Sequence, residues 1–354
     1  SPLVYPCTTF VLRHNKSILF GRNLDWCTGT GLLIVNPRNL EKVALIEPPE
    51  KPVKWISKYG SVTFNQVGRE LPYGGINETG LVVEHMTLDM TEYPQKDERL
   101  AIQACQWIQF QLDNYSTVNE VIKSDEFLRI SEHFSKHHYL ISDKNGNIAI
   151  IEFLNGKMVC YSGDNIPIPV LANSTYEESL DYYNTDKDVS LNRSLYNFVT
   201  AAHLLNEAEL KTDESKIDYA FNILSKVSQG PGTKWSIVYD ITNMKIYFKI
   251  FETPKIVGEQ KIFVKAPGVA KIKYIDIQAI DLSCFNTAKV LDLELEKEGY
   301  NNPYFIGYTT EINRKSIFQS FTFFKKWGIP IDISDDDLIA LSKYPESFKC
   351  TEKN

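Results

Sequence analysis

Cys7 opens a run of strand character, Thr8 to Arg13, close to the start of the sequence. If the peptide bond ahead of it were cut, one residue would carry both a thiol and a free α-amino group. Such an amine has a pKa of about 8, near enough to neutrality to accept a proton from its own thiol, so a single residue would supply nucleophile and base. The plainer alternative is that Cys7 is one of six ordinary buried cysteines. Four further segments decide between the two: Phe20-Gly21-Arg22-Asn23-Leu24-Asp25-Trp26, Ile76-Asn77-Glu78-Thr79-Gly80-Leu81, Val170-Leu171-Ala172-Asn173-Ser174 and Trp235-Ser236-Ile237-Val238-Tyr239-Asp240.

Taken with Cys7-Thr8-Thr9, these segments run across about residues 7 to 250 in an order and spacing that resemble the choloylglycine hydrolase family of linear amide C-N hydrolases, which includes bile salt hydrolases and penicillin V acylases. The resemblance implies that Cys7 is the nucleophile and that Arg22 lies beside its thiol. A guanidinium stays charged at any working pH and favours the thiolate. Asp25 matches the carboxylate that holds the new α-amine; its plain reading is an Asx turn after a strand. Asn173 matches the asparagine whose side-chain amide holds the oxyanion, and loss of one such donor typically slows a reaction about a hundredfold to a thousandfold. Thr87 falls where the family offers a backbone N–H as second donor. Bile salt hydrolases resemble one another in carrying Asn there and penicillin V acylases in carrying Tyr, and Thr87 is neither. A further family arginine corresponds to Arg193 in Ser190-Leu191-Asn192-Arg193. Alignment on Phe198-Val199 would put Asn197 in its place instead; Arg193 is preferred. Trp26 and Tyr176, close in sequence to these residues, are expected to line an acyl pocket.

The resemblance further implies an α+β chain with the four-layer αββα fold of N-terminal-nucleophile hydrolases, in which two packed, mainly antiparallel sheets lie between helices. Residues 1–6 are expected to be a short propeptide remnant and 7–354 a single hydrolase domain, with strands and a helix over 255–354 as an extension. The expected activity is hydrolysis of a linear C-N amide in a small N-acyl substrate after self-exposure of Cys7. Conjugated bile salts come first as substrate, then penicillin V or acylated homoserine lactones. The alternatives are an acyltransferase to amines, or a non-catalytic binding relative that keeps an unprocessed Cys7. No cofactor is implied, and a homo-oligomer, a tetramer by resemblance, is expected.

The elements that must position these residues are partly legible. Strand character recurs at Ser17 to Phe20, Leu32 to Val35, Val43 to Ile46, Gly60 to Phe64 and Leu81 to Leu88, with His14-Asn15-Lys16 as a hairpin loop. Helical spacing predicts Arg99 to Leu112, Val118 to Ile122, Leu191 to Leu205, Ile217 to Val227 and Lys315 to Trp327. Strands are expected at Tyr139 to Ser142, Ile148 to Phe153 and Lys157 to Tyr161, joined by the turns Asn145-Gly146 and Asn155-Gly156. Further strands are expected at Trp235 to Asp240, Lys245 to Phe251, Lys261 to Val264 and Lys273 to Ile277.

Composition narrows the function. The 354 residues are 43% hydrophobic, enough for a sizeable core, and the net charge of -7 comes with no basic block, which argues against nucleic acid and anionic membranes as partners. No stretch approaches the roughly 18 to 20 apolar residues of a bilayer span. An exported protein, periplasmic or extracellular, whose signal is not in this sequence is the first expectation, with the cytoplasm as alternative. The cysteines form no CxxC pair, so no zinc site is expected; one or two disulfides stay open. His133, His137 and His138 are read as a polar helix face, and Gln229-Gly230-Pro231-Gly232 as a loop that cannot cradle phosphate.

Overall fold

Thr8–His14 turns back on Ser17–Asp25 through Asn15, which adopts the left-handed φ of 54° that asparagine tolerates well. The pairing runs from His14 opposite Ser17 to Thr8 opposite Asn23. In the computed structural model, which describes residues 6–131, 135–185, 187–208, 215–251, 255–257, 260–262, 272–284, 288–293, 305–329 and 331–352, this hairpin lies inside a six-stranded antiparallel sheet. Its order is Val170–Leu171, Thr8–His14, Ser17–Asp25, Thr233–Asp240, Lys245–Ile250 and Lys273–Asp276.

A second sheet has nine antiparallel strands: Lys157–Ser162, Ile148–Leu154, His137–Ser142, Val82–Thr87, Pro72–Asn77, Ser61–Asn65, Leu32–Asn36, Lys289–Asp292 and Ile306–Gly307. The sheets meet over Phe20, Phe64, Trp235, Tyr239 and Phe248, whose rings pack edge to face or tilted. Helices cover both outer faces. Ala104–Asn114 (α1) and Val118–Lys123 (α2) lie on the nine-stranded sheet. Tyr176–Thr185 (α3), Arg193–Glu207 (α4) and Lys216–Lys226 (α5) lie on the six-stranded one, α3 against α4. This gives the expected four layers. Thr310–Lys326 (α6) and Asp335–Lys343 (α7) pack against each other toward the C-terminal end of the sequence.

Several expectations shift. The apolar run expected as one helix from Arg99 splits: Leu100–Ile102 is a strand, parallel to Leu128–Ile130, and α1 begins only at Ala104. Leu100, Ala101 and Ile102 are three consecutive apolar residues, a run that fits either period, and pairing decides. The strand expected at Val43 to Ile46 is Leu40–Val43, paired with Lys54–Ile56. His137 and His138 are on a strand opposite Val82–Thr87, so they are not a helix face; His133 lies outside the described residues. The strand expected at Lys261 to Val264 is described over Gln260–Ile262, and residues 263–264 lie outside the description. The helices α3 and α7 were not anticipated. Cys284 and Cys350 form a disulfide, while Cys7, Cys27 and Cys105 are buried thiols.

Candidate active site

Antiparallel register brings five chain ends to one place. Cys7 precedes the first strand, Asp25 closes the second, Thr233 opens the strand paired with it, Leu171 pairs with Thr9, and Thr87 ends a strand of the other sheet. Residues far apart in sequence are therefore neighbours at one end of the two sheets.

Cys7 is 6% exposed, and its thiol donates to the Asp25 carbonyl at 3.7 Å. Burial pushes the thiol up to about 11, against the opposing pull of Arg22, so in this state it is neutral. Arg22 projects between the sheets, where its Nε lies 2.5 Å from Glu84 Oε2 and its Nη2 donates to the His85 carbonyl at 3.1 Å. The Tyr239 hydroxyl donates to the other Glu84 oxygen at 2.5 Å. Room for that carboxylate comes from Gly74, directly opposite in the ladder: a Cβ there would stand 2.0 Å from the Glu84 carboxyl carbon. A buried guanidinium needs such a partner, and a carboxylate inside the apolar strand Val82–Thr87 is the sequence signal that could have revealed it.

Asp25 is fully buried. Its Oδ1 accepts from the Thr233 hydroxyl, while Oδ2 accepts no hydrogen bond. Burial holds the carboxyl up at about 7, opposed by the Thr233 hydrogen bond and by Arg22. An unfilled acceptor on the residue whose carbonyl receives the Cys7 thiol is a place for a cationic donor.

Asn173 and Thr87 are in contact: the Asn173 amide donates to the Thr87 carbonyl at 2.6 Å, and its own Oδ1 is buried without a partner. The loop that carries Asn173 is held from two sides. Ser194 Oγ accepts from the Asn173 N–H at 2.8 Å, and the His138 ring donates through Nε2 to the Ala172 carbonyl at 2.6 Å. The other ring nitrogen faces Glu152 at 3.0 Å, and Glu152 also accepts from the Tyr176 N–H at 2.9 Å.

The remaining expected residues separate. Arg193 begins α4 at the surface, where its guanidinium donates to Gln229 Oε1 at 3.2 Å and to the Ser228 carbonyl at 3.1 Å. It acts on Asp25 only by charge. Asn197, one turn further along α4, is the one that reaches the segment around Cys7: its amide donates to Thr8 Oγ1 at 3.0 Å and to the Pro6 carbonyl at 3.2 Å. Trp26 is half-buried, with its indole N–H unpartnered and its ring edge on Phe324 of α6 at 6.1 Å. Tyr176 does not line an open pocket. It is 0% exposed, packs against Tyr161 and Phe198, and donates its hydroxyl to the Ile168 carbonyl at 2.8 Å, because the first turn of α3 swings the ring inward. Glu84, Gln229, Thr233, His138 and Glu152 were not anticipated as neighbours of the site. Among the described residues the only grouping of three potential metal ligands contains the disulfide pair itself.

A curated penicillin V acylase of Pectobacterium atrosepticum is 26% identical over 302 residues, 71% of this chain and 79% of that one. The solved penicillin V acylase of Agrobacterium tumefaciens superposes with a TM-score of 0.69 at 26% identity, covering 86% of this chain and 98% of that one. A variant of the conjugated bile acid hydrolase of Clostridium perfringens shares the fold, with a TM-score of 0.61 at 17% identity over 81% of this chain and 97% of its own. The sequence profile of the linear amide C-N hydrolases, choloylglycine hydrolase family, matches residues 7–195, more than half of the chain. With its two packed antiparallel sheets between helices, the protein has the N-terminal-nucleophile hydrolase fold and belongs to the choloylglycine hydrolase family of linear amide C-N hydrolases.

Proposed function

We propose that the protein removes the residues ahead of Cys7 by its own chemistry and then hydrolyses small N-acyl amides with Cys7 as nucleophile. The observation that carries this reading is the meeting of the Cys7 thiol with Asp25, whose buried Oδ2 lacks a donor. A new α-ammonium at Cys7 would fill that position, and its charge would lower the Asp25 carboxyl from about 7 so that the pair forms. The same amine would take the thiol proton, which burial otherwise holds in place up to about 11.

In turnover the sulfur adds to the substrate carbonyl. The Asn173 amide, released from the Thr87 carbonyl, and the Thr87 N–H receive the oxyanion. Arg22, fixed by Glu84, favours the thiolate; the ammonium protonates the departing amine; and water activated by the same amine clears the thioester. Arg193 is assigned to the rim and Trp26 to the acyl side. Residues 7–354 are read as one domain, since strands beyond residue 255 extend both sheets. We take phenoxyacetyl amides ahead of conjugated bile salts in the substrate panel, a choice supported by the two relatives at 26% identity, both penicillin V acylases.

The test is intact mass after incubation, followed by a panel of phenoxyacetyl, glycine- and taurine-conjugated and long-chain acyl amides. A species beginning at Cys7, acylated on that residue, is expected. Permanent full length, or turnover that survives Cys7→Ala, removes the reading.

A further inference from the structure

We propose that Asn197 is a catalytic residue of self-cleavage, its side-chain amide holding the Pro6 carbonyl oxygen as negative charge builds on it. This rests on the processing step proposed above and adds a residue to it.

The side-chain amides of Asn173 and Asn197 are committed differently. That of Asn173 is bound to the Thr87 carbonyl at 2.6 Å. That of Asn197 is on the carbonyl of the bond to be cut, at 3.2 Å. Asn197 is 0% exposed, so its donor competes with no solvent. Its orientation is fixed twice. Thr8 Oγ1 accepts from the same amide nitrogen at 3.0 Å, and Gln229 Nε2 approaches the Asn197 oxygen at 3.5 Å, so nitrogen and not oxygen faces Pro6. A distance of 3.2 Å is long for an N–H···O bond and can shorten as the oxygen gains charge, which is the behaviour of a donor that favours the tetrahedral state over the ground state.

The step balances within the chain. Cys7 Sγ bonds to the Pro6 carbonyl carbon, and the carbonyl π pair moves to oxygen, where Asn197 meets it. As the pair returns, the C–N bond breaks, and the proton that left sulfur ends on the Cys7 nitrogen. The product is a Pro6 thioester and a free amine. Water then cleaves the thioester, giving the Pro6 carboxylic acid and the thiol. Self-cleavage and substrate turnover thus use different amides, Asn197 for the chain's own bond and Asn173 for the substrate's.

The experiment follows conversion of the full-length chain by intact mass in the parent, Asn197→Ala and Asn197→Asp; the aspartate keeps the volume and loses the donor. A second series begins at Met-Cys7, so that an aminopeptidase exposes the amine without self-cleavage, and acylation of Cys7 by an activated phenoxyacetyl ester then reports a folded site. The expected result is cleavage slowed about a hundredfold in both variants, with Cys7 still acylated in the second series. Asn197→Asp cleaving as fast as the parent overturns the proposal. So does loss of acylation in both variants of the second series, which would make Asn197 structural. A parent that never cleaves, and whose Cys7 is not acylated even when pre-exposed, overturns the underlying reading instead.

Discussion

Arg22 and Glu84 hold each other inside the protein, each 1% exposed, so removing one partner leaves the other a buried charge. Arg22→Met is expected to cost about 3 to 5 kcal/mol in denaturant unfolding and to abolish acylation of Cys7, while the double variant Arg22→Met with Glu84→Leu recovers stability without activity. Asp25 gives a pH prediction. Its carboxyl is raised to about 7 when folded, so between about pH 4 and 7 the folded chain keeps a proton that the unfolded chain has released, and stability falls as pH rises. The loss is at most about 4 kcal/mol, at about 1.4 kcal/mol per unit. In a Cys7→Ala background, Asp25→Asn is therefore expected to remove part of that slope in urea titrations across this range; an unchanged slope would show that Asp25 is ionised. At this scale the flanking motifs singled out Cys7, Arg22, Asp25 and Asn173, which the strand register carries to one end of the two sheets. The sequence favours Arg193 over Asn197, whereas Asn197 is the one whose amide meets Thr8 and Pro6. The two are four residues apart on one face of α4, and only depth distinguishes them.

At the scale of elements, the strand Val170–Leu171 is two residues long, and what fixes the Asn173 loop beyond it is the Glu152–His138–Ala172 chain reaching across from the other sheet. His138→Phe is expected to lower kcat ten- to a hundredfold with KM little changed, since an oxyanion donor displaced by about an ångström loses most of its effect. An equal rise of KM with kcat intact would assign the chain to substrate binding instead. None of this chain was legible beforehand. His138 reads in sequence as part of a polar helix face, and only its pairing opposite Met86 shows that it is a strand residue. The layers came from the family resemblance; alternating blocks of strand and helix periodicity are compatible with them but do not by themselves specify two packed sheets between helices. Boundaries failed where short apolar runs fit both periods, as at Leu100–Ile102.

At the scale of the molecule, the segment beyond residue 255 does more than extend the sheets. α6 sets Phe324 against Trp26, and Ser320 bonds to Thr30 at 3.0 Å and to the Gln66 carbonyl at 2.7 Å, so the C-terminal helices brace the loops that follow Asp25 and Asn65. The disulfide Cys284–Cys350 closes a sequence separation of 66 and holds the end of the chain to this assembly. Cys284→Ser with Cys350→Ser is expected to lower stability by up to about 4 kcal/mol, the loop-closure value for that length, with hydrolysis retained below the melting temperature. Identical denaturation with and without reductant would show that the bond contributes nothing. Gly74 carries a different kind of dependence. Its missing side chain is the vacancy into which the Glu84 carboxylate fits, and through that carboxylate it governs where Arg22 rests. A saturation screen scored by cleavage of a chromogenic amide should therefore find position 74 as unforgiving as position 22. The charge beside the sulfur is thus inherited from a hydrogen atom on the neighbouring sheet, at a residue that has no side chain to contribute.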